Sequence, residues 1–216
     1  MTDTVRAVAE PLFVKICGLR THEDVAAAVA AGADAVGFVF AESPRRMEAS
    51  VARELARAVP EHVLTVGVFR RQPLEDVRAL AEASGVRAVQ LHGDEGEEYY
   101  AALRRPGRTL LRAVAAREGR RERCGGLGED LLLLDAPAPG AGRPWDWSAP
   151  GFVPPEGRWL LAGGLTVGNV GEAVRATGAW GVDVSSGVER ERGVKDAELI
   201  ASFVRAARTV AQGSDR

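Results

Sequence analysis

Residues Trp159–Glu189 read W-L-L-A-G-G-L-T-V-G-N-V-G-E-A-V-R-A-T-G-A-W-G-V-D-V-S-S-G-V-E. Two short apolar runs, Trp159–Ala162 and Gly181–Val184, end in small residues: Gly163-Gly164 after the first, Ser185-Ser186-Gly187 after the second. Val167–Ala176 between them has a helical pattern, and Thr166 is placed to cap it. Small residues at strand ends leave backbone N–H groups bare, and bare N–H groups at a helix start suit an anion. One such turn reads as an ordinary glycine turn. Two, in consecutive βα units late in the chain, are how a (β/α)8 barrel holds a phosphate.

Working outward, the same alternation fills the chain. Strands are expected at Phe13–Cys17, Ala35–Phe40, Val63–Phe69, Ala88–Leu91, Thr109–Val114 and Leu131–Asp135, then at the two runs above. Helices are expected at Glu23–Ala31, with Thr21 as cap and Gly32 as stop, and at Ala49–Val59, Leu74–Ser84, Glu95–Arg105 and Ala197–Ala211. Arg117–Leu127 is a poor helix because Gly119, Gly125 and Gly126 interrupt it. Eight strands alternating with helices define an α/β class with a parallel sheet, its apolar strands buried on both faces. Divided by eight, 216 residues allow about 27 per unit, the compact end of the (β/α)8 range. A doubly wound open sheet is the alternative, but no G-x-G-x-x-G follows the first strand. The expectation is therefore one (β/α)8 TIM-barrel domain over 1–216, frayed at 1–8 and 212–216. One connection, Ala136–Gly157, is long and rich in proline and glycine. It reads either as a lid or as a rigid surface loop.

Bulk composition narrows the partners. Net charge is −2, from 28 basic and 30 acidic residues, so no polyanion-seeking surface is expected and nucleic acid is excluded. No apolar run reaches membrane-spanning length and no signal peptide opens the chain, which predicts no membrane association and a cytoplasmic location. Monomer and homodimer are both compatible with the sequence. Cys17 and Cys124 predict no disulfide, and the scattered His22, His62 and His92 predict no metal site. Among 28 basic residues only Lys15 and Lys195 are lysines. Either coding bias writes arginine elsewhere, or these two sites need a compact, buriable charge.

In a barrel, chemistry gathers where the strands end. Cys17 ends the first strand, with Lys15 two residues earlier on the same face. A buried ammonium lowers a thiol's pKa and makes a basic thiolate available; otherwise Cys17 is a small buried hydrophobe. Asp183, on the strand that closes the ring against the first, is the expected partner of Lys15. Asp135 follows four leucines, and desolvation there favours a protonated, proton-donating carboxyl group; its other reading is a cap. Arg45, just past the second strand, suits a bidentate grip on a carboxylate. Gln90 and His92 share one face of the fourth strand and either orient a substrate or satisfy neighbouring backbone. Gly163, Gly164, Ser185, Ser186 and Gly187 are the phosphate candidates. Together these residues describe a small phosphorylated substrate, one acid, one base and no cofactor: proton-shuttling isomerisation of a sugar phosphate.

The motifs Lys15-Ile16-Cys17-Gly18, Gly32–Phe40, Val66–Phe69, Val89–Gly93, Leu133–Asp135, Ala162–Leu165 and Val182–Glu189 resemble, in order, those of the phosphoribosylanthranilate isomerases of tryptophan biosynthesis. The resemblance implies a cofactor-free Amadori rearrangement. It implies that Asp135 is the general acid, Cys17 the general base and Arg45 the holder of the anthranilate carboxylate. Gly163, Gly164, Ser186 and Gly187 would hold the phosphate. One stretch departs from the family's G-x-G-K-x-F-D-W, reading Gly140-Ala141-Gly142-Arg143-Pro144-Trp145-Asp146-Trp147 here. The alternatives are a related barrel isomerase or epimerase acting on another sugar phosphate, and a silent barrel that only binds one. The histidine-pathway isomerase uses two aspartates, whereas the first strand here ends in Cys17.

Overall fold

The computed structural model describes residues 11–137, 145–147 and 149–212, without the side chains of 210–212. The fraying expected at 1–8 and 212–216 lies outside these residues except at Gln212, which is still helical, and 138–144 and 148 of the long connection lie outside them too.

Eight parallel strands close into a ring: β1 (Phe13–Cys17), β2 (Ala35–Val39), β3 (Leu64–Phe69), β4 (Ala88–Leu91), β5 (Thr109–Ala115), β6 (Leu131–Asp135), β7 (Trp159–Leu161) and β8 (Gly181–Val184). Closure is direct, with Lys15 opposite Asp183 where β1 pairs with β8. The helices are α1 (His22–Ala30), α2 (Ala49–Arg57), α3 (Leu74–Ser84), α4 (Glu97–Leu103), α5 (Val170–Thr177) and α6 (Ala197–Gln212). A short hairpin, β9 (Glu189–Glu191) with β10 (Val194–Lys195), stands between β8 and α6.

Strand parity sorts side chains into two cores. Val14 and Ile16 of β1, Leu132 and Leu134 of β6, and Val182 and Val184 of β8 point outward and pack under the helices. Cys17, Leu131, Leu133, Leu111, Ala113 and Leu160 fill the lumen. Lys15, Gln90, Asp135 and Asp183 are buried and have the inward parity too, so these polar groups face one space.

The local signals act largely as expected. Thr21 caps α1 in a full capping box with Asp24, and Gly85 ends α3 with a left-handed backbone. Arg117–Leu127 forms no helix. One expectation fails. Thr166 does not cap α5, which starts four residues later behind Asn169. The Asn169 amide is used for the loop instead: Oδ1 accepts from the Thr166 N–H at 2.7 Å and Nδ2 donates to the Gly164 carbonyl at 3.0 Å. The last helix starts at Ala197, as expected. Ser186–Val188 form a single 3-10 turn, and the β9–β10 hairpin intervenes before α6.

Candidate active site

The upper ends of the strands open on a cavity of about 410 Å³. Cys17, Arg45, Gln90, His92, Asp135, Gly163, Gly164, Asp183, Ser185 and Ser186 all line it. Of the expected site residues, only Gly187 lies behind the wall. A neighbouring cavity between the ends of β3, β4 and β5 shares only Arg70 and His92 with this one and is lined by neither Cys17, Asp135 nor the small residues that follow β7 and β8.

On the β1 side, Lys15 is fully buried and its Nζ donates to Asp183 Oδ1 at 2.7 Å. Burial pulls the lysine pKa down, but the opposed charges and the bonds to Asp183 and Cys17 carry it above its ordinary value. The sequence led us to expect Lys15 to depress the Cys17 thiol. The net shift is upward: burial raises it most, Lys15 lowers it, and Asp183 adds to the rise. Desolvation outweighs the ammonium of Lys15, already neutralised by Asp183, and the weaker pull of Lys195. The thiol is therefore held protonated, and its thiolate is a strong base once formed.

Across the mouth, Asp135 ends β6 at 7% exposure. Its Oδ1 accepts from the Ala136 N–H at 2.8 Å and its Oδ2 lies 3.1 Å from His92 Nε2. Gln90 Nε2 lies 3.1 Å from His92 Nδ1. An amide nitrogen only donates, so in this arrangement the neutral ring carries its proton on Nε2, aimed at Asp135. The Gln90 Oε1 atom is buried with no hydrogen-bond partner. Turning the amide over would place that oxygen on an Nδ1–H and let Nε2 accept a proton from Asp135. Gln90 and His92, which share a strand face, thus act on the carboxyl group rather than on backbone.

Arg45 lies beyond β2 with a buried partner that local sequence does not disclose. Its Nε and Nη2 donate to Glu189 Oε1 and Oε2 at 2.6 and 2.8 Å. Burial alone would raise the Glu189 carboxyl, but bonds from Arg45, Lys195 and the Gly193 N–H hold it down to about 2. Lys195 Nζ donates to Glu189 Oε1 at 2.8 Å, to the Ser185 carbonyl at 2.9 Å and to Ser185 Oγ at 3.2 Å. Gly18 makes room for this. At φ +78° its missing Cβ would stand 2.6 Å from Arg45 Cδ, so the guanidinium stem lies across the residue that follows the thiol.

The small-residue ends of β7 and β8 touch. A Cβ on Gly187 would fall 1.8 Å from the Leu165 carbonyl oxygen. Only glycine lets the turn after β8 lie on the turn after β7. Trp145 Nε1 donates to the Ala162 carbonyl at 3.2 Å, and its ring packs edgewise on Phe152, anchoring the described part of the long connection beside Gly163.

A closed (β/α)8 barrel with a buried thiol and carboxyl, a half-buried guanidinium and paired glycine–serine ends on one cavity defines the class: a phosphate-type barrel built for acid–base chemistry. The pattern of the family described as N-(5'phosphoribosyl)anthranilate (PRA) isomerase matches residues 14–206. The N-(5'-phosphoribosyl)anthranilate isomerase of Pelobacter propionicus is 40% identical over 209 residues, covering 94% of this chain and 99% of the relative. The crystal structure of TrpF from Jonesia denitrificans superposes with a TM-score of 0.83 at 46% identity, covering 93% of this chain and 98% of that one. A phosphoribosyl anthranilate isomerase crystallised with reduced 1-(o-carboxyphenylamino)-1-deoxyribulose 5-phosphate superposes with a TM-score of 0.76 at 33% identity, covering 92% of this chain and 99% of that one. The chain belongs to the phosphoribosylanthranilate isomerase family.

Proposed function

We propose that this chain, as a single catalytic domain, converts N-(5'-phosphoribosyl)anthranilate into 1-(2-carboxyphenylamino)-1-deoxyribulose 5-phosphate, with Asp135 as general acid and Cys17 as general base. The observation that carries the reading is that these two groups, on β6 and β1, open on one cavity with the β7 and β8 turns beside them. Asp135 gives its proton to the ribose ring oxygen as the C1–O bond breaks. The anilino nitrogen lone pair forms the C=N bond of the iminium. Cys17 thiolate then takes the proton from C2, and the C–H electrons become the C1=C2 bond of an enolamine, which tautomerises to the ketone. Only protons move, so no cofactor is required. As the enolamine becomes the ketone, Cys17 gives its proton to C1 and the C2 hydroxyl proton returns to Asp135, which His92 orients.

Binding divides between two ends of the substrate. The turns holding Gly163, Gly164, Ser185, Ser186 and Gly187 take the phosphate, which suits their bare N–H groups. Arg45 takes the anthranilate carboxylate with the nitrogen that Glu189 leaves open. Holding both ends fixes C1 and C2 between acid and base. Lys15 and Asp183 neutralise each other beneath the thiol. No helix among the described residues is long and apolar enough to cross a membrane, and a cytoplasmic location fits a soluble small-molecule substrate.

Turnover is read from the loss of substrate fluorescence. Cys17→Ser and Asp135→Asn are expected to lower kcat by roughly 10²–10⁴-fold while KM changes little. Wild-type protein that binds the substrate without turning it over would leave only the silent-barrel reading.

A further inference from the structure

We propose that Glu189 and Lys195, carried by the β9–β10 hairpin, are positioning residues that clamp Arg45 and thereby make the site selective for an ortho-carboxylated aryl group. The inference rests on the reading of Arg45 as the carboxylate grip. A guanidinium on a surface loop samples many rotamers, and an exposed ion pair restrains it weakly. Here the carboxylate that holds it is buried, with a side chain only 4% exposed, and both its oxygens are saturated. Oε1 accepts from Arg45 Nε and Lys195 Nζ. Oε2 accepts from Arg45 Nη2 and the Gly193 N–H, the latter at 3.0 Å. A fully satisfied buried network of this kind specifies one geometry.

The clamp uses the Nε–Nη2 edge of the guanidinium side-on. Nη1 has no hydrogen-bond partner among the described residues, and Arg45 lines the cavity. Two cations and one anion leave the cluster one positive charge, the complement of a single carboxylate. Lys195 does a second job. By bonding both the carbonyl and the hydroxyl of Ser185, it ties the Arg45 anchor to the strand end that faces the phosphate. The distance between the two anion-gripping ends is thereby set within one rigid unit. A compact ammonium reaches three acceptors at once, a task a planar guanidinium does poorly. This gives a physical reason for lysine here in a chain whose basic residues are otherwise, Lys15 apart, all arginine.

The test compares two substrates, N-(5-phosphoribosyl)anthranilate and N-(5-phosphoribosyl)aniline, which lacks the carboxylate. Wild type, Arg45→Lys, Glu189→Gln and Lys195→Gln are assayed for kcat and KM, with folding followed by circular dichroism. The expected result is a loss of selectivity, on the order of tenfold to a hundredfold, in all three variants. It should come from a higher KM for the carboxylated substrate, with kcat/KM falling several-fold further for the anthranilate than for the aniline in each variant. Lys195→Gln keeps the Arg45–Glu189 fork and answers the question if Glu189→Gln does not fold. Equal losses on both substrates in the Glu189 and Lys195 variants would overturn the proposal, since a merely structural role moves both. An unchanged selectivity in Arg45→Lys would instead remove the carboxylate-grip reading beneath it.

Discussion

Replacing Gly187 by alanine tests the anion cradle with one methyl group. Its Cβ would sit 1.8 Å from the Leu165 carbonyl oxygen, and Cβ contacts below 3.0 Å are essentially not found. The two turns must therefore part by at least 1.2 Å, the difference between these distances. Overpacking of this size costs about 1–3 kcal/mol of stability, and each kcal/mol lowers Tm by about 2–4 °C in a chain of this length. The larger effect is on binding. In the proposed binding mode both turns supply the phosphate N–H groups, and a misplacement near 1 Å costs on the order of 10²-fold in catalysis. We expect a raised KM, a kcat/KM reduced on that scale, and weakened competitive inhibition by inorganic phosphate. Gly168→Ala is the control, because its Cβ would meet only Thr166 Oγ1, at 3.9 Å. A Gly187→Ala protein with wild-type Tm and wild-type phosphate inhibition would refute the reasoning.

Lys15→Met should cost roughly 3–5 kcal/mol, because it leaves Asp183 buried without its partner; denaturant unfolding reads this directly, and a loss below 1 kcal/mol would contradict the burial described. The rate should also respond to pH through the thiol. Since the Cys17 pKa is raised above 9.0, kcat/KM should climb as pH rises through the region above that value, and Cys17→Ser should abolish the climb. Glu189 sets an acid limit on stability. Its folded pKa is depressed from 4.5 to about 2, so its stabilisation is complete above pH 4.5 and is lost as pH falls towards 2. Glu189→Gln should flatten the acid part of a plot of unfolding free energy against pH, and an unaltered profile would show the clamp to be electrostatically idle.

Much of this was legible before any coordinates. The barrel strands announce themselves because both their faces are buried, leaving unbroken apolar runs such as Leu131–Leu134. Asp135 stands out because it terminates such a run, and the partner of Lys15 follows from ring closure alone. What escaped depends on distance along the chain. Glu189 and Arg45 are brought together by the hairpin, whose strands of two and three residues are too short to show any periodicity. Thr166 looked like a cap because local propensity favours it, yet Asn169 was recruited to hold the Gly164 carbonyl. The thiol shows the same limit: its cationic neighbour was visible in the sequence, but the depth of burial that outweighs it was not.

The seam between β1 and β8 also governs when the protein can begin to work during its own synthesis. A chain released only up to β7 already carries its thiol and its acid, but Lys15 has no counter-charge to pair with. Its counter-charge, the serine turn and the hairpin that steadies Arg45 all emerge afterwards, within a dozen or so residues of one another. Competence to bind and to turn over should therefore arrive in one late step on the ribosome, at the moment the ring is fastened.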